Sequence, residues 1–257
     1  MLGNVASNLG AAISADTAEK DLSEFKHHTR VFLHEVRTPV QSFIDSPRNI
    51  RESLLRKYST DDHTIDWSVR NLIDLESLAA RLSFLVACQR REHLFKDMEI
   101  HKYFLLKNIV MPVVQTYKPY IKKKYDLDIQ LDDTLLRSRL VYGNINLLHI
   151  AVNIFIDNAA KYNKSKRPIL VYGELTKAGK VSTVVENDGY EILEEEEERI
   201  FDDGYRGMKV RGLKIDGTGV GLELAKDIAH KLNGTVTLKS RFNPVSFSIE
   251  LREAERK

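Results

Sequence analysis

Residues 151–163 read AVNIFIDNAAKYN, running from Ala151 to Asn163, and they read as helix with Asn158, Lys161 and Tyr162 grouped near its end. On either side of that helix the chain alternates between short strands and helices. EIHKYF, LDIQLD and SRLVYG precede it as candidate strands; ILVYGEL, KVSTVVEN, TVTLKSR and VSFSIEL follow it. Helices are expected to start near Leu105, Asn144, Leu193 and Gly219. This texture sets in after about Glu99 and predicts a layered α/β domain over about 98–252. Within it, the charge runs at Lys122 to Lys124 and Glu194 to Glu198 read as solvated helix faces.

Upstream the pattern is different. Leu22, Phe25, Thr29, Phe32, Val36, Val40 and Phe43 recur at steps of three and four, the spacing of one helix face. The polar stretch YSTDDHTI (Tyr58 to Ile65) reads as a turn, after which Leu72, Leu75, Ala79, Leu82 and Val86 repeat the spacing. The prediction is an N-terminal tail over 1–16, a helical hairpin over 17–97 and an α/β domain over 98–257. A lone hairpin buries too little of so long a stripe. Pairing with a second copy into a four-helix bundle solves that, so a homodimer is expected.

The bulk numbers exclude more than they specify. Thirty-nine basic against thirty-seven acidic residues leave a formal charge of +2, too weak a field to argue for nucleic acid or an anionic membrane as partner. One cysteine, Cys88, cannot build a disulfide framework and fits a reducing compartment. No run approaches the roughly 18 apolar residues of a membrane span, and MLGNVASNLGAAISAD lacks the basic start and apolar core of a signal peptide. A soluble, cytoplasmic protein is the expectation.

Chemistry enters first in the hairpin. At about 100° per residue the stripe from Leu22 to Phe43 falls within roughly 80° of arc, and His34 lies about 150° from its centre. Thr38 is one turn further on the same exposed side, and Glu35 flanks the histidine. Neutral imidazole is a competent nucleophile near neutral pH, and an adjacent carboxylate can orient it or take up the released proton. Pro39 removes a backbone donor just after the group and permits a local bend. His27 and His28 lack that company.

The second half supplies a phosphate-handling set. The Asn158 amide oxygen suits Mg²⁺, which prefers hard oxygen donors beside nucleotide phosphates, and a lysine one turn on can meet phosphate charge. VVENDGYEI puts Asn187 and Gly189 at a strand end, and ERIFDDGYRG leads through the basic loop MKVRGLKI to DGTGVGLELAKDIAHKLNG. Gly217, Gly219 and Gly221 let the backbone approach an anion at the start of the following helix. No Gly-Lys-Ser/Thr follows them, so this is not a Walker A loop.

His34-Glu35-Val36-Arg37-Thr38-Pro39 resembles the H box of sensor histidine kinases. Asn-x-x-Lys-Tyr, Asn-Asp-Gly, Ile-Phe-x-x-x-Tyr-Arg-Gly and Gly-Thr-Gly-x-Gly-Leu, in that order, resemble the N, first glycine, F and second glycine boxes of their ATP-binding domain. The resemblance covers about Thr17 to Leu251. It implies that His34 accepts the γ-phosphoryl of ATP with Glu35 as base, and that Thr38 orients water when a phosphorylated partner is dephosphorylated. It implies further that Asn158 ligates Mg²⁺ and that Lys161, Tyr162, Asn187 and Gly189 meet the nucleotide. Arg206, with Lys209, Arg211 or Lys214, would neutralise phosphate, while Gly217, Gly219 and Gly221 give the backbone access. The fold implied is α+β: a dimeric helical bundle followed by an α/β sandwich ATP-binding domain. The partner implied is the receiver domain of a response regulator, whose aspartate takes the phosphoryl group.

Two departures bear on that expectation. Four residues before Asn158 the family usually has a second asparagine; here stands Ile154, with Asn153 one place too early unless the helix register brings it in. The first glycine box is Asp-x-Gly-x-Gly in the family, against Asn187-Asp188-Gly189-Tyr190-Glu191 here. Asn187 still accepts a bond from an adenine amino group but without charge, so weaker ATP binding is expected. Ile154 and Glu191 also favour an alternative, a degenerate kinase acting as a nucleotide-binding scaffold or a phosphatase and phosphotransfer dimer. A stand-alone ATPase would leave the His34 group without a use.

Overall fold

Asn144 opens the central helix by capping it. Its side-chain oxygen accepts from the amides of Asn146 (3.1 Å) and Leu147 (3.2 Å), pairing two of the donors that a helix start leaves open. The helix that follows, α2 (Ile145–Lys161), buries Leu148, Ala151, Val152, Ile154, Phe155 and Ile156. A helix so apolar is surrounded rather than laid on a surface. It packs against α1 (Met111–Tyr125), against α4 (Gly221–Lys231) and against the sheet. A short helix, α3 (Met208–Arg211), lies on the segment leading into α4.

The protein is described by a computed structural model that covers residues 98–176, 179–213, 215 and 219–255, together with single positions between 50 and 95. His34, Glu35, Thr38, Cys88, Lys214 and Gly217, and most of the hairpin expected over 17–97, lie outside the described residues. Among the described residues no helix is long and apolar enough to cross a membrane.

Among the described residues seven strands form two sheets. β1 (His101–Phe104) pairs antiparallel with β3 (Leu140–Gly143). The main sheet comprises β2 (Ile129–Asp132), β4 (Ile169–Leu175), β5 (Lys180–Asn187), β7 (Val245–Arg252) and β6 (Thr235–Arg241), in that order. Of these described strands only β2 and β4 run parallel, which requires a long crossover, and α2 lies within it. The alternation along β5 turns Val181 and Val185 toward the helices, with Val245, Phe247, Ile249 and Leu251 of β7 beside them in the core. Asn187 shares that face. The other face is polar: the Tyr172 hydroxyl donates to Glu186 (3.2 Å), and Lys239 reaches Glu174 (2.9 Å).

A helix does begin near Leu105, with an irregular first turn, while the helix expected near Leu193 needs correction. The helix beginning near Leu105 runs its first six residues, Leu105–Val110, as a π-helix before α1. No α-helix begins near Leu193. Two 3₁₀ turns stand there, Glu194–Glu196 and Arg199–Phe201, because Glu196 turns inward instead of lying on a solvated helix face. Its side chain accepts from the Leu193 amide at 3.0 Å, and the backbone tightens to the i→i+3 bonds Glu196 to Leu193 and Phe201 to Glu198. The lysine run keeps its expected place, exposed at the end of α1.

Candidate nucleotide-binding cleft

The face of α2 carrying Asn158 and Tyr162 ends above the strand ends of β5 and β7. Asn163, just past the helix, bridges to Gly189, and the Lys164 amide donates to the Asp188 carbonyl at 2.8 Å. These bonds fix the helix end against the turn after β5. Asn158, Tyr162, Asn187 and Gly189 thereby line one cleft of about 650 Å³, open mouth included, a size typical of small-molecule sites. Asp188 does not line it; its carboxylate turns toward the Lys164 ammonium at 3.7 Å.

Asn187 is 6% exposed, and its Nδ2 is buried without a hydrogen-bond partner. A buried amide end left unpaired is costly, so it marks a place where a ligand atom has something to satisfy. Gly189 keeps that place open. A Cβ there would stand 3.1 Å from both Asn187 Nδ2 and the Val245 side chain.

The opposite wall is irregular chain. Arg206, Gly207, Lys209 and Val210 line the cleft from the segment between β5 and α4. Arg206 donates through Nη2 to the Ile215 carbonyl (2.8 Å), and its Nε is buried without a partner. What holds this segment is Glu196, 1% exposed, which also accepts from the Tyr205 hydroxyl (2.8 Å) and the Met208 amide (2.7 Å). Burial alone would raise its carboxyl; the bonds from Met208, Leu193 and Tyr205 outweigh this and leave it below its ordinary value. Tyr205 is pushed the other way, by its own burial and then by that carboxylate, and the Arg199 guanidinium lies 4.7 Å from its ring centre.

The structure thus brings together Asn158, Tyr162, Asn187, Gly189 and Arg206, with Lys209, at one cavity. Lys161 is not among them. Its ammonium is ion-paired with Asp157 one turn back, on a neighbouring face of α2. Gly219 and Gly221 stand outside the cleft lining as well. Gly219 has φ +81°, and a Cβ on it would lie 2.6 Å from the Gly204 carbonyl carbon, so it packs the two loop segments together. Gly221 opens α4.

The α2 register does not bring Asn153 to the cleft. It lies about 140° around the helix from Asn158, is 5% exposed, and donates through Nδ2 to the Tyr117 hydroxyl of α1. The residue one turn before Asn158 on its own side is Ile154, packed into the core. Sequence reasoning missed Glu196. Five consecutive glutamates sweep about 400° of helix, so a packed segment cannot keep all five in water, but nothing in the run singles out the third.

Residues 143–255 match the family described as histidine kinase-, DNA gyrase B-, and HSP90-like ATPase. Among curated proteins the chain is similar to the signal transduction histidine-protein kinase ArlS of Staphylococcus haemolyticus (strain JCSC1435). They are 37% identical over 90 residues, 35% of this chain and 20% of that protein. The ArlS protein of Staphylococcus aureus (strain USA300) matches with the same identity and coverage. These matches span 20% of the relatives' length. Among solved structures, full-length ShkA in complex with AMPPNP superposes with a TM-score of 0.56 at 16% identity, covering 90% of this chain and 46% of that one, a likeness of fold. Residues 143–255 are therefore similar to the domains of the histidine kinase-, DNA gyrase B-, and HSP90-like ATPase family.

Proposed function

We propose that this chain is the catalytic core of a two-component histidine kinase, in which ATP bound in the cleft phosphorylates His34 of the N-terminal hairpin. The single observation that supports it most is the convergence of Asn158, Tyr162, Asn187, Gly189 and Arg206 on one cavity. The unpaired Asn187 amide fits a purine edge, and the buried Arg206 Nε beside Lys209 fits a polyphosphate.

Among the described residues no group of three or more His, Cys, Asp and Glu side chains offers a metal site. Mg²⁺ would therefore rest on the Asn158 oxygen and on the nucleotide's own phosphates, where it supplies charge neutralisation. In the step, an imidazole nitrogen of His34 forms a bond to the γ-phosphorus, the bond to the β–γ bridging oxygen breaks, ADP leaves, and Glu35 takes the imidazole proton. The phosphoryl group then passes to an aspartate of a response-regulator receiver domain, and Thr38 orients water for its removal. The hairpin over 17–97 dimerises as a four-helix bundle, and the assembly works in the cytoplasm.

Ile154 at the place of a second metal-binding amide supports the other reading, a nucleotide-binding scaffold or phosphatase dimer. Incubation with γ-labelled ATP and Mg²⁺ separates the two. The kinase reading expects an acid-labile, base-stable label that is absent from His34→Gln. Nucleotide uptake with no label, or label that persists in that variant, would contradict it.

A further inference from the structure

We infer that the cleft takes purine nucleotides carrying either a 6-amino or a 6-oxo group, with Asn187 as the residue that reads the base edge. This rests on the reading of the cavity as a nucleotide site and goes on to its substrate class. A carboxylate at a strand end can only accept hydrogen bonds. It pairs with the 6-amino group of adenine and repels the 6-oxo oxygen of hypoxanthine or guanine. The residue at this strand end is an amide, with one acceptor and two donor hydrogens on opposite ends of the same planar group.

Set against adenine, Asn187 Oδ1 accepts from the 6-amino group. Set against a 6-oxo purine, the amide turned half a revolution about its last torsion donates from Nδ2 to O6. Each base then meets a complementary bond at position 6.

Three observations on the cleft support this. Nδ2 of Asn187 is buried with no partner, so no neighbour commits the amide to one orientation. Gly189, whose Cβ would stand 3.1 Å from that nitrogen, leaves room beside it. Asp188, the nearest carboxylate in sequence, faces Lys164 outside the lining. Of the residues lining the cleft only Glu191 is acidic, and it is exposed. No buried carboxylate in the lining therefore selects against O6.

Inosine triphosphate is the clean probe, because it differs from ATP only at position 6 and the N1 proton. Calorimetric titration of the full chain with Mg·ATP and with Mg·ITP should give dissociation constants within about tenfold of each other. In Asn187→Asp, ATP binding should hold or tighten, and ITP should weaken at least about thirtyfold relative to ATP, since an acceptor then faces an acceptor. Asn187→Ala, which removes the edge contact, should weaken both nucleotides alike. If the parent binds ATP but rejects ITP by more than about a hundredfold, the inference fails and the nucleotide site stands. A parent that binds neither overturns both. An Asn187→Asp variant with an unchanged ITP to ATP ratio overturns the inference alone.

Discussion

Asn158 and Arg206 face the same cavity from walls held in place by different means. The Asn158 wall is regular: α2 is clamped between α1, α4 and the sheet, and Asn187 ends a strand hydrogen-bonded on both edges, to β4 and β7. The Arg206 wall has two 3₁₀ turns and a four-residue helix, and three hydrogen bonds to the Glu196 carboxylate gather it. Apolar burial sets the first wall and a single buried charge sets the second. The first should therefore persist through changes that release the second.

The largest effect should come where the walls meet. Phe247 of β7 stacks on Phe155 of α2 (ring centres 6.1 Å apart) and meets Phe201 of the loop edge-on (6.3 Å). Phe247→Ala leaves a cavity against both, and a loss of about 3–5 kcal/mol is expected. Chemical denaturation should show it as a lower midpoint with nucleotide binding lost from both walls together.

Glu196→Gln divides the walls. The variant keeps one acceptor but turns an N–H₂ toward donors, at a cost of about 1–3 kcal/mol. ATP binding should weaken about tenfold, while amides of β4 and β5 keep their exchange protection; loss of protection in the sheet as well would refute the division. The parent carries the same test in its pH dependence. A carboxyl held below its ordinary value stabilises the fold above the unfolded-state value and loses that contribution as pH falls through the folded-state one. The midpoint gap between parent and Glu196→Gln should therefore narrow on acidification below the ordinary carboxylate range.

Tyr117→Phe gives the smallest effect, and it falls on the regular wall alone. Removing the hydroxyl leaves Asn153 Nδ2 without its acceptor and should cost about 1 kcal/mol with ATP affinity unchanged. A matching loss of affinity would place Asn153 in the site after all.

The regular wall was legible in the sequence, whereas of the irregular one only Arg206 and Lys209 were, and not what holds it. β4, β5 and β6 begin and end where alternation and turn residues mark them, and Asn144 announces α2 by its capping chemistry. Asn158 and Asn187 sit on those elements, with Tyr162 and Gly189 just past their ends, so ordered motifs sufficed to bring them together. Periodicity cannot report a side chain that folds back on its own loop. The glutamate run therefore read as a helix face, whereas Glu196 is a buried acceptor for a segment reaching to Met208. Lys161 misled in another way, because spacing placed it one turn from the metal-binding candidate and could not show Asp157 holding it on a neighbouring face.

Hydrogen exchange read by mass spectrometry, with and without Mg·ATP, tests most directly that these two walls close on one nucleotide. Slowed exchange is predicted in two separate stretches, 158–164 from the regular wall and 188–212 from the irregular one, with 169–175 in the sheet unchanged. ATP that leaves both stretches at their unliganded rates, or protects only one of them, would contradict the account.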